Sequence, residues 1–118
     1  MANVKLGTKA VGSIVKIKVN GASKDFIVVQ QGNPNTSTYD SSCAGTWLLM
    51  KDIYTTSTFG NNNSYKDSSI HTYLNGTFYN LIDSNIRAAI KQVKIPYQNG
   101  TGSGGSLATG SNGLSTKV

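Results

Sequence analysis

The sequence has no glutamate, two prolines, and one residue each of arginine, histidine, tryptophan and cysteine. Each shortage removes a class of chemistry. With Cys43 alone, no intrachain disulfide and no CxxC-type metal site can form, and without a neighbouring His or Arg to lower its pKa the thiol reads as a small, partly buried hydrophobe. Every side-chain carboxylate must come from five aspartates, Asp25, Asp40, Asp52, Asp67 and Asp83. They lie in or next to turns, so capping and turn chemistry accounts for them more economically than a carboxylate pair for glycoside hydrolysis. Ten lysines and Arg87 produce a net charge of +6, yet they are scattered from Lys5 to Lys117. A nucleic-acid surface clusters its cations and favours arginine for bidentate contacts, so no nucleic-acid partner is expected. The longest apolar runs, "FIVV" and "WLLM", are four residues each. Neither a cleavable export signal nor membrane insertion is legible.

What fills the chain is uncharged polarity: 37% apolar and 14% charged residues among 118, with the balance in Ser, Thr, Asn and Gly. The stretches "SIVKIKV", "DFIVVQ" and "TWLLMKDIY" are nevertheless dense in β-branched and aromatic residues, which distinguishes them from disordered sequence. The length fits one α+β domain over residues 1–97. Residues 98–118 hold six glycines, one charge and no aromatic residue, and read as a Gly/Ser-rich loop or linker.

Val15, Ile17 and Val19 alternate with Lys16 and Lys18, and Asn20-Gly21 then marks a turn. Asp25 to Gln30 carries apolar residues at successive positions, Phe26 and Val28 on one face and Ile27 and Val29 on the other. That pattern predicts a hairpin whose second strand lies nearer the sheet centre and is covered on both sides. A long loop from Gln31 precedes a third strand at "TWLLMKDIY", and a second loop reaches Ser68. Asp67 or Ser68 is placed to cap a helix with Ile70 and Leu74 on one face, and Asn75-Gly76 is placed to end it in a left-handed conformation. Asp83 or Ser84 can cap another helix, in which Ile86, Ala89, Ile90 and Val93 recur at helical spacing. Pro96 forces "VKIPY" out as a strand. The fold class expected is α+β, a small antiparallel or mixed sheet with two or three short helices.

No catalytic residue and no metal ligand emerges from this pattern, and no cofactor is implied. His71 would need a positioned second group for acid or base work, and its place beside Ile70, ahead of Tyr73 and Leu74, suggests packing instead. The "GSGGS" string of the C-terminal stretch lacks the flanking strand and helix of a nucleophile elbow, and no Gly-Lys-Ser/Thr opens a helix. Sequons at Asn35, Asn62, Asn75 and Asn99 arise readily in so Asn-, Ser- and Thr-rich a chain. Tyr39, Tyr54, Phe59 and Tyr65 sit in loops. There they suit either recognition of a sugar or protein by stacking, or the pinning of long loops onto the domain. The ligand-binding residues are left unknown.

The stretch "SSIHTYLNGTFYNLIDSNIRAAIKQVKIPY" resembles the signature of an uncharacterised domain family of Gram-positive bacterial surface proteins and their phages. Its pattern falls on Ser68 or Ser69, Ile70, His71, Tyr73, Leu74, Asn75, Phe78 and Tyr79, and the upstream strands from Val11 are similar as well. Many members of that family carry Arg at the position of His71, which favours packing over chemistry there. Complete members continue past a Gly-rich loop, and the resemblance implies a C-type-lectin-like arrangement of which this chain holds the N-terminal half. A sheet left incomplete would need its exposed edge covered, by a partner or by further chain. The resemblance implies a non-enzymatic structural or display protein of a phage particle, a head or tail decoration or host-attachment module. Its expected partners are other virion proteins or copies of itself, with a host-surface glycan or protein as a further partner. An adhesin-like module of a bacterial cell surface is the alternative. An enzyme related to the lectin-like oxidases that modify sulfatases is a third reading, which the single cysteine disfavours.

Overall fold

Asn20 and Gly21 both adopt positive φ, 53° and 80°, the pair of left-handed conformations that a two-residue type I′ turn requires. They join β1 (Ile14–Val19) to β2 (Ala22–Gln31), and β3 (Thr46–Met50) pairs antiparallel with the far side of β2. The sheet order is β1-β2-β3, so the second arm of the hairpin is central, as its continuous apolar run predicts. This is a computed structural model, and it describes residues 5–60, 64–99 and 105–118. The sequon asparagine Asn62, and Gly102 and Gly104 of the "GSGGS" string, fall outside the described residues.

Alternation sends Val15, Ile17, Val19, Phe26, Leu48 and Met50 to one face. There the buried side chains of Ile17 and Val19 join Phe78 and Ile82 in the core. The opposite face is open. Ile14, Ile27 and Leu49 form a row across the three strands, and Lys16 pairs with Asp25 at 2.7 Å. The expectation that β2 is covered on both faces therefore fails: a bulge between Val28 and Gln30 leaves Val29 42% exposed. The helical residue Phe78 and Ile82, just past the helix, pack with the inner-facing strand residues, and the outward-facing apolar residues remain in contact with water.

A short 3-10 turn at Tyr65–Asp67 leads into α1 (Ser69–Tyr73), a π-helical turn at Leu74–Phe78 and α2 (Tyr79–Leu81). The stop expected at Asn75-Gly76 does not occur. Gly76 keeps negative φ, the helix widens there, and it ends only where Ile82 becomes extended. Ile82 bridges to Val19, the Asn20 amide donates to the Leu81 carbonyl at 2.7 Å, and the Asp83 amide donates to Lys18 at 3.0 Å. These bonds close the C-terminal half of the β1 edge.

The following helix is shorter than its periodicity predicts: α3 covers only Ser84–Arg87, and the chain has turned by Ile90. Val93 leaves the helical pattern because Val93–Ile95 forms β4, paired antiparallel with β7 (Leu114–Thr116). Between them, β5 (Tyr97–Asn99) pairs with β6 (Ser106–Ala108). The stretch read as a loop or linker over 98–118 thus carries strands in its described part. Leu114 and Thr116 are buried, and at Gly113 an added Cβ would stand 2.7 Å from the Ile95 carbonyl oxygen. Glycine permits that close backbone approach, so it serves a strand junction as well as it would a linker. The whole is α+β, with small antiparallel sheets and a few short helices. Among the described residues no helix is long and apolar enough to cross a membrane.

Candidate functional site

Ser68 is 0% exposed and starts α1: its hydroxyl accepts from the His71 amide at 3.1 Å and donates to the Tyr65 carbonyl at 2.6 Å. Of the two residues that could cap this helix, the serine does so. Asn75 lies one turn beyond His71. Its Nδ2 donates to the His71 carbonyl at 3.1 Å and to the Val118 main-chain oxygen at 3.2 Å. Its Oδ1 accepts the amides of Lys117 at 2.7 Å and Val118 at 3.2 Å. Two donors and two acceptor positions are the whole capacity of a carboxamide. Asn75 is therefore saturated by its own helix and the two residues that follow β7. The Thr116 hydroxyl, with one proton to donate, reaches the Val118 oxygen at 2.6 Å.

Around this hub the rings are packed against one another. The Tyr65 and His71 centroids are 5.0 Å apart, and Phe59 leans on Tyr65 at 6.5 Å. Burial raises the Tyr65 phenol above its ordinary pKa, because the phenolate would lose water. Asn75 Nδ2 lies 3.4 Å from His71 Nδ1. Among the described residues no carboxylate hydrogen-bonds to the imidazole, and no group of three His, Cys, Asp or Glu side chains is placed to hold a metal ion.

Of the four loop aromatics, Tyr39 stands edge-on to Trp47 at 5.8 Å and Tyr54 edge-on to Phe78 at 5.4 Å, so both tie loops to the sheet and core. Phe59 remains 45% exposed. Cys43 is buried with its Sγ 3.1 Å from the Lys94 carbonyl, the position of a small hydrophobe. The aspartates are dispersed. Asp40 caps the 3-10 turn at Ser41–Cys43, where hydrogen bonds from Ser42 hold its carboxyl below the usual value. Asp25 lies in β2, and the hydrogen bond from Lys16 lowers its pKa.

Sequence reasoning missed a concavity between the two layers. A cleft of about 350 Å³ opens between the inner face of the sheet at Leu48 and Met50 and the helical residues Tyr73, Leu74 and Phe78. Val118 lies along it, and Ile53 stands at its rim 88% exposed. A faint sign exists in "TWLLMKDIY", where an isoleucine follows the charged Lys51-Asp52 pair instead of ending the apolar run. The volume is at the small end for a ligand pocket, and its walls are mostly hydrocarbon and aromatic. Such a surface holds an apolar side chain.

No curated protein and no solved structure matches this chain. A model described as a domain of unknown function (DUF6273) matches residues 44–118, from just before β3 through the Asn75 hub to the C-terminal strands, leaving β1 and β2 outside. That match spans more than half of the 118 residues, and the chain belongs to this family of uncharacterised domains.

Proposed function

We propose that the chain is a non-enzymatic structural and display module of a phage particle, a head or tail decoration or host-attachment protein. The observation that carries the reading is the saturation of Asn75. The asparagine of the signature directs every hydrogen bond it can make to the fold itself, joining α1 to residues 117–118. The motif is thus a clasp, and the apolar surfaces left to a partner are the cleft and the row of Ile14, Ile27 and Leu49 on the open face of the sheet. The virion setting and a lectin-like arrangement rest on the resemblance of the signature to surface and phage proteins of Gram-positive bacteria. Host-surface glycan or protein would be met by loop aromatics such as the half-exposed Phe59.

Mass spectrometry of purified particles from the host strain tests this, together with the neighbourhood of the coding sequence. Recovery of the protein in particles, beside capsid or tail genes, is the expected result. Recovery in the cell-wall fraction with an export signal upstream would instead establish an adhesin-like module. Turnover of a substrate that depends on a bound metal would overturn the non-enzymatic reading.

A further inference from the structure

The two outer strands of the three-stranded sheet end differently. On β1 the odd residues bond to β2, so the main-chain groups of Ile14, Lys16 and Lys18 face away. Lys18 is engaged by Asp83, and Lys16 and Lys18 set charge along the same strand, a usual protection against further pairing. On β3 the bonds from Gly32 to Gly45 (2.8 Å) and from Lys51 to Asp25 (2.9 Å) turn the odd residues toward β2. Thr46, Leu48 and Met50 then present their amides and carbonyls outward, and no main-chain hydrogen bond from a described residue meets them there. The strand "TWLLM" carries no charge and no proline, and Leu49 is 60% exposed. This is an unguarded apolar edge.

We propose that β3 is the edge by which two copies of this chain pair, antiparallel about a two-fold axis at Leu48. Only even-numbered residues offer outward groups, so the register is restricted. Leu48 opposite Leu48 of the other copy also joins Thr46 to Met50 in both directions, whereas a shift by two residues loses one of these pairs. The same register sets exposed Leu49 across from Trp47 of the other copy, apolar against aromatic. Continued past the strand end, it sets Asp52 across from Ala44, whose carbonyl already holds the Lys91 ammonium at 2.6 Å. Asp52 and Lys91 are both exposed, and the symmetry makes their contact twice. Hydrogen bonds, apolar contact and charge are all complementary to the chain's own edge, which identifies the second copy as the occupant. The inference goes beyond the display reading and does not depend on it.

Sedimentation equilibrium of the full chain at micromolar concentrations should show a dimer. Leu49 faces solvent in a single copy, so Leu49→Lys should keep the fold by circular dichroism and raise the dissociation constant at least about tenfold, by placing a charge on the edge. Asp52→Lys and Lys91→Asp should each weaken the dimer by about tenfold through two lost ion pairs, and the double exchange should restore it. A monomer at every concentration overturns the proposal, as does a dimer indifferent to Leu49→Lys. So does a wild-type monomer whose Leu48 and Met50 amides gain exchange protection only in assembled particles, because another protein's strand then occupies the edge. A monomer recovered in particles leaves the display reading standing, and a dimer absent from them removes that reading alone.

Discussion

Replacing Asn75 with alanine should detach the C-terminal strand from the helical layer. Four hydrogen bonds disappear, two to the His71 and Val118 main-chain oxygens and two from the amides of Lys117 and Val118. Each contributes about 0.5–1.5 kcal/mol net, and partial exposure favours the low end because water replaces some of them, so the expected loss is about 2–4 kcal/mol. For a domain of this size that lowers the melting temperature by on the order of 10 °C. Thermal and urea denaturation followed by circular dichroism measures it, and hydrogen exchange should show the Lys117 and Val118 amides exposed first. Asn75→Asp keeps the shape and the acceptor but sets an anion against the His71 carbonyl and the Val118 oxygen. It should be at least as destabilising at neutral pH. An alanine variant within about 0.5 kcal/mol of wild type would refute the clasp, as this is below the net contribution of one typical bond.

Gly113→Ala should cost about 1–3 kcal/mol by overpacking, since the new Cβ would meet the Ile95 carbonyl at 2.7 Å and backbone yields poorly; urea midpoints measure it. Ser68→Ala removes the cap of α1 from a fully buried site and should cost about 1–2 kcal/mol by the same assay. Asp40→Ala should flatten the acid limb of the stability profile. The Ser42 hydrogen bonds lower the folded pKa beneath the ordinary 3.8, so this contribution is complete above that value and is lost as pH falls through the folded one. Acid titration of the two proteins, monitored by Trp47 fluorescence, compares the limbs.

The elements legible in the sequence are those whose causes are local. Asn20-Gly21 between alternating residues can form little other than a tight hairpin, and Ser68 ahead of Ile70 is a cap wherever its helix packs. The central place of β2 was readable too, because a strand with apolar residues at successive positions belongs at a sheet centre, whereas its pairing with β3 was not. The same logic overreached for the outer face of β2, where the third layer it assumes does not exist among the described residues.

Asn75-Gly76 shows where local reasoning ends. The pair is equally suited to stopping a helix and to widening one, and the choice is made by amides at Lys117 and Val118, far along the chain. The three-residue strands after Pro96 are too short to show a period, and their glycines read as slack until the approach of Gly113 to Ile95 is known. The cleft belongs to no segment at all, being the space left where a sheet and a helical layer diverge. Turn chemistry, capping and alternation are written within a few residues and survive without tertiary context. What a side-chain amide clasps, which strand edge stays bare and where two layers part depend on pairings between distant segments, and only the folded chain decides them.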